Sequence, residues 1–154
     1  MIRGILIRLN QRRKRKMPKT AKKEAWEWCS KYIRLRDAIE YQSQYPETPF
    51  GYVKCCTCPK IVIYNKNADA GHYISKGSRG MSGVYFDERN IHVQCKICNG
   101  FHQGRQSVYK EFMLEKYGQD VIDQLEFLDQ NQSYKGKIIG IGLMYKQMYE
   151  GLKG

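Results

Sequence analysis

Two cysteine pairs, Cys55-x-x-Cys58 and Cys95-x-x-Cys98, are separated by 36 residues. Each pair fits a tight turn that aims both sulfurs the same way, and four sulfurs complete the tetrahedral shell of a structural Zn²⁺. A redox dithiol needs one pair only, so zinc is the better reading. Four thiolates would leave a net charge of about −2 on the site, which Lys54, Lys60 and Lys96 would partly balance. Between the pairs lie Asp69, His72 and Asn90, and Asn99 and His102 follow the last cysteine. A neutral imidazole, with an unperturbed pKa of about 6.5, can take a proton from water. Carboxylate and amide oxygens suit a hard cation such as Mg²⁺. The residue types therefore describe a proton acceptor beside a cation site, within a segment stapled at both ends by zinc.

The elements must bring these side chains together. The stretch 52–67 reads as a strand, a zinc turn and a second strand, and "ADAGHYIS" as another short strand. On that strand Asp69 shares a face with position 71 while His72 points the other way. Lys76 to Gly83 reads as a flexible loop, and "VYFDERNIHVQC" as a turn and a strand returning to the second cysteine pair. Asn99 and His102, three apart at a helix start, would share one face. Asp69, Asn99 and His102 can then converge on one cation with His72 alongside. Upstream, Ala25, Trp28, Cys29, Tyr32, Leu35 and Ile39 have helical spacing after Thr20, a fitting N-cap, and Pro46 and Pro49 end the pattern. Downstream, Val108 to Leu114 form a helical stripe that stops at Gly118, and Asp120 can cap a further helix. The last segment is ambiguous between strand and helix, with Ile141, Tyr145, Met148 and Leu152 fitting a helix against Gly140 and Gly142.

With these residues in view the chain resembles the zinc-stapled HNH (His-Me finger, or ββα-metal) nucleases. More narrowly, "DAGHYISKG", "NIHVQCKICN" and "EKYG" are similar to the lambdoid-phage NinG, or Rap, recombination endonucleases. The likeness covers roughly residues 24 to 152 and is strongest from Tyr52 to Gly118. It implies an α+β fold with a small ββα-metal core flanked by an N-terminal helix and C-terminal helices. It implies His72 as general base, Asn90 as the residue that orients the loop and the histidine, and Asn99 as a ligand of a catalytic Mg²⁺ or Mn²⁺. The implied reaction is hydrolysis of DNA to a 5′-phosphate and a 3′-hydroxyl, on branched recombination intermediates such as four-way junctions. Many such enzymes carry a metal-binding Asp or His directly before the base. That place is Gly71 here, and the role passes to Asp69. A two-fold junction would match a homodimer, which nothing in the sequence establishes.

Charge supports a polyanionic partner. The net charge is +12, and ten of the 27 basic residues precede the first acid, Glu24. The arm over residues 1–23 repels itself and is expected to be disordered. Arg12, Arg13, Lys14, Arg15 and Lys16 would follow DNA phosphates, as would Lys76, Arg79 and Arg105 near the site. A solvated tail is the alternative, and Met17 leaves open a later translation start. Residues 24–154 read as one domain, with the zinc core at about 50–118 and C-terminal helices over 119–153. The longest uncharged apolar run, Ile138 to Tyr145, is too short to span a membrane, and the basic cluster follows the apolar start, the wrong order for a secretory signal. The expected location is the cytoplasm, that of the bacterial host if the gene is phage-borne. Two function classes remain: a metal-dependent endonuclease, and a non-catalytic zinc module that binds nucleic acid.

Overall fold

The computed structural model of the chain describes residues 20–75 and 83–154. Helix α1 (Ala21–Gln44) starts where expected: the Thr20 side chain accepts from the Lys23 amide at 3.3 Å, and Glu24 lies in the first turn. Its buried face carries Ala25, Cys29, Tyr32, Ile33, Leu35 and Ala38. It ends at Gln44, two residues before Pro46, whose ring disfavours a helical conformation in its predecessor Tyr45.

Two small antiparallel hairpins follow. Strands β1 (Tyr52–Lys54) and β2 (Ile61–Ile63) flank the first cysteine turn. Strands β3 (Ala68–His72) and β4 (Ile91–Cys95) pair from Ala68 opposite Cys95 to His72 opposite Ile91. A π-turn (Ile97–Phe101) then leads into α2 (Gln106–Tyr117), α3 (Gln119–Asn131) and α4 (Ile138–Lys153). The mixed α+β class is therefore as expected, and the ambiguous C-terminal segment is a helix. Gly142 makes that helix useful: a Cβ there would come within 3.4 Å of both Ala25 Cα and Ala25 Cβ. The missing side chain lets α4 press on α1, and Tyr145 fills the cluster beneath them.

Two details differ from the sequence reading. Gly118, with φ +82°, ends α2 and also precedes α3 directly, so Asp120 sits inside the first turn of α3 rather than capping it. Asn99 and His102 do not share an α-helical face, because a π-turn holds Asn99 while His102 lies just past its end. The wider turn changes the angular spacing on which the three-residue rule depends.

The core consists of three modest apolar clusters. One joins α1 and α4 to Tyr85, Phe86 and Ile91, one surrounds the cysteines with Val53, Val62 and Val93, and one packs α2 and α3 against Tyr73 and Val84. The middle cluster spans both hairpins and includes three of the paired cysteines, so a metal there would act inside the core. Among the described residues, no helix is long and apolar enough to cross a membrane.

Candidate active site and metal centre

The cysteine pairs converge as expected. The ligand sulfurs of Cys55, Cys58, Cys95 and Cys98 all lie within 4.8 Å of one another, and Cys58 Sγ is 3.8 Å from Cys95 Sγ. A tetrahedron with Zn–S bonds of about 2.3 Å has edges of about 3.8 Å, so the donors fit a zinc ion in kind and spacing. Cys56 and Cys29 stand outside this group. Cys29 packs fully buried against α4, and burial pushes its thiol up to about 12.

The β3–β4 hairpin carries the remaining candidates. His72 closes β3, and its Nε2 lies 2.8 Å from the Tyr85 carbonyl. A carbonyl only accepts, so Nε2 holds a proton, and in the neutral form of the ring the lone pair lies on Nδ1. The ring stacks on Trp26 of α1 at 4.8 Å between centroids and meets Tyr85 at 4.9 Å. Only 7% of His72 is exposed. Sequence periodicity did not single out Trp26, because it lies beside the main apolar stripe of α1 rather than on it.

Asn90 is fully buried and acts as a clasp. Its Oδ1 accepts from the Ile74 amide at 2.8 Å, and its Nδ2 donates to the carbonyls of Ile74 and Val84, both at 3.1 Å. Its own carbonyl accepts from the Tyr73 amide. One side chain thus joins the two ends of the long connection between β3 and β4, on which Tyr85 meets His72. The return of that connection is tight at Gly83, where a Cβ would fall 2.2 Å from the Leu128 carbonyl. From α1, Arg36 donates to the carbonyls of Glu88 and Ile91 on either side of Asn90, and Asp37 accepts from the Val93 amide.

On the opposite face of β3, Asp69 meets Asn99, whose Nδ2 donates to Asp69 Oδ2 at 3.1 Å. Lys96 Nζ lies 2.8 Å from Asp69 Oδ1, so this lysine pairs with Asp69 rather than serving only the thiolates. With Lys96 62% exposed, the ion pair is weak and easily opened. The Asp69 and Asn99 oxygens suit a hard divalent cation, and Gln94 Oε1, a buried oxygen with no partner among the described residues, stands near Asn99 Oδ1. His102 is exposed, and among the described residues no hydrogen bond joins it to Asp69 or Asn99. Arg105 reaches back to the first cysteine turn, with Nη1 3.4 Å from the Thr57 carbonyl. Gln103, Gly104 and Arg105 all have positive φ, so this turn is held in a conformation that two of its three residues disfavour. Lys76, Arg79, Arg12, Arg13, Lys14, Arg15 and Lys16 lie outside the described residues.

His92 has a separate role. Tyr109 donates to the Gly71 carbonyl at 2.8 Å, so towards His92 Nδ1, 3.2 Å away, its oxygen can only accept. Nδ1 therefore carries the ring proton, and Nε2 accepts from the Tyr117 hydroxyl at 2.8 Å. The chain Tyr117–His92–Tyr109–Gly71 ties α2 to the residue before His72. Burial, with Arg36 and Lys116 nearby, holds the His92 imidazole well below its ordinary value. Below an unfolded pKa of about 6.5, the unfolded chain binds a proton that the folded chain refuses, so stability falls as pH falls. Between pH 7.5 and 5.5 the zinc-loaded protein should lose on the order of 1 kcal/mol from this group. Denaturant titrations at the two pH values should show the loss, and His92→Gln should remove that part of it. An unchanged pH dependence in His92→Gln would refute the assignment.

Comparison with known proteins identifies the family. The family described as Bacteriophage Lambda NinG protein matches residues 7–153. Protein ninG of Escherichia phage 933W is 33% identical over 72 residues, covering 47% of this chain and 34% of that protein. Protein ninG of Enterobacteria phage H19B is 38% identical over 58 residues, covering 38% and 28%. Protein ninG of Escherichia phage lambda is 32% identical over 72 residues, covering 47% and 33%. The matched segment thus spans about a third of the length of these relatives. No solved structure matches. The chain belongs to the NinG family.

Proposed function

We propose that this NinG-family chain is a metal-dependent DNA endonuclease of the HNH type, with His72 as general base and a divalent cation held by Asp69 and Asn99. One observation carries the reading. A hairpin and turn fixed by four clustered cysteines hold a tautomerically defined histidine on one face of β3 and a carboxylate–amide pair on the other. A general base needs a lone pair at a known atom, and the Tyr85 carbonyl supplies that by holding the proton on Nε2. Asn90 keeps the Tyr85 segment in place. Trp26 fixes the ring plane and shields it from bulk water. Nδ1 takes the proton from an attacking water, and the imidazolium formed is stabilised by its hydrogen bond to the Tyr85 carbonyl. Mg²⁺ or Mn²⁺, when bound, supplies charge stabilisation on the phosphoryl oxygens and the departing 3′-oxygen. Lys96 must leave Asp69 for that cation to enter, which the exposed ion pair permits.

The net charge of +12 fits a DNA partner. Branched DNA is the substrate that the family resemblance suggests. The near-complete burial of His72 and the ion pair already on Asp69 favour a second reading, a zinc module that binds nucleic acid without cutting it.

Cleavage assays separate the two. Zinc-loaded protein should cut matched linear, forked or four-way DNA only when Mg²⁺ or Mn²⁺ is added, leaving 5′-phosphate and 3′-hydroxyl ends. Tight binding with no cleavage of any of the three, in either metal, would favour the second reading.

A further inference from the structure

Gln94 lies on β4 directly opposite Asp69 and is fully buried. Its Nε2 donates to Thr57 Oγ1 and to the Gly104 carbonyl, both at 2.9 Å. Because the Gly104 carbonyl only accepts, the amide is locked with its nitrogen on that side. Its oxygen then faces the other way and finds no partner: among the described residues, Gln94 Oε1 is the one buried side-chain polar atom left unsatisfied. A buried acceptor without a donor is costly, and such an exception needs a reason.

Gly71 indicates what that reason is. A Cβ on Gly71 would fall 1.9 Å from Gln94 Oε1 and 3.1 Å from Asn99 Oδ1. The Gln94 oxygen therefore fills the volume that a side chain at position 71 would take, on the face of β3 that carries Asp69. Asn99 donates from Nδ2 to Asp69 Oδ2, which leaves Asn99 Oδ1 as an acceptor near the Gly71 Cβ position. The Gln94 and Asn99 oxygens thus lie beside the Cβ position of residue 71, on the face of β3 that carries the Asp69 carboxylate, and such donors are what a hard divalent cation takes.

We infer that Gln94 is a ligand of the divalent cation through Oε1, standing in for the side chain that Gly71 lacks. The inference rests on the cation site proposed above. It explains together the glycine before the base, the locked amide and the orphaned oxygen. The Thr57 and Gly104 bonds also link this ligand to the cysteine turn, so a zinc-stapled segment would set its position.

The test uses Mn²⁺ alone, titrated into the zinc-loaded protein and followed by electron paramagnetic resonance without DNA. Wild type should bind Mn²⁺, and Asp69→Ala should lose that binding. Gln94→Met, which keeps length and volume but removes the oxygen, should retain zinc and weaken Mn²⁺ by about ten- to a hundredfold. Gln94→Ala, which empties that volume, should weaken Mn²⁺ likewise, and adding Gly71→Asp to Gln94→Ala should restore much of the loss by placing a carboxylate there. If Gln94→Met does not fold, the wild type still decides: on Mg²⁺ titration the Gln94 side-chain carbonyl carbon should shift in its NMR signal as the oxygen becomes a ligand. Full Mn²⁺ affinity in folded Gln94→Met, or an unmoved Gln94 carbonyl signal in Mg²⁺-saturated wild type, would overturn the role of Gln94 alone. No Mn²⁺ binding by wild type, or undiminished binding by Asp69→Ala, would overturn the cation site itself and this inference with it.

Discussion

Cys95→Ser should release the metal and unfold the chain. Cys95 ends β4, is almost fully buried, and pairs across the hairpin with Ala68. Its sulfur stands 3.8 Å from Cys58 Sγ and accepts from the Cys98 amide at 3.4 Å. Without the ion, several thiols would crowd one buried space. Hydrogen bonds from Thr57 and nearby backbone outweigh burial and bring Cys55 down to about 7, while burial pushes Cys58 up to about 12 and Cys98 upward. Metal binding must therefore remove protons that the free cluster would keep, and its free energy becomes folding free energy. A structural zinc is worth about 10–16 kcal/mol in small zinc domains, against a total stability of about 5–15 kcal/mol. Serine is a poor zinc ligand, so the loss should exceed what three small apolar clusters can offset. Zinc analysis of purified protein should give about one ion per wild-type chain, and circular dichroism should show no cooperative melt for Cys95→Ser. A variant that melts like wild type, or a folded wild type free of zinc, would contradict the assignment.

The parts of this arrangement that depend on local rules were legible in the sequence. Thr20 as a cap, Gly118 as a helix end and the cysteine spacing each follow from backbone or coordination geometry within a few residues. So does the opposition of Asp69 and His72 across β3, which follows from the two-residue period of a strand. Trp26 and Tyr85 were not legible as partners of His72, because one arrives from α1 and the other acts through its backbone carbonyl. Gln94 was hidden for a related reason. A glutamine directly before a zinc-pair cysteine attracts no notice until its nitrogen is seen to be fixed and its oxygen orphaned. The expected shared helical face of Asn99 and His102 is absent because Asn99 lies in a π-turn, which composition cannot tell from an α-helix start. Lys96 was read from its neighbours in sequence as a counter-charge to the thiolates, yet it reaches across the hairpin to Asp69.

His72→Ala should leave zinc content, fold and DNA binding intact while lowering turnover by about two to four orders of magnitude, the range for loss of a general base. The size of the effect follows from the chemistry assigned to Nδ1, since no other imidazole is available for it. His92 is buried between two tyrosine hydroxyls, and His102 is exposed beyond the π-turn. Loss of the ring also removes the stack on Trp26, so a modest fall in melting temperature should accompany the kinetic effect. The stability change and the rate change are separable, because the zinc cluster and its apolar neighbours do not include His72. The most direct measurement is single-turnover cleavage of one DNA substrate in saturating Mg²⁺ by wild type and His72→Ala, with binding of the same DNA measured in parallel. The account predicts equal binding and a rate at least a hundredfold lower for the variant, within the range quoted for a general base. Equal rates, or no metal-dependent cleavage by wild type, would contradict it.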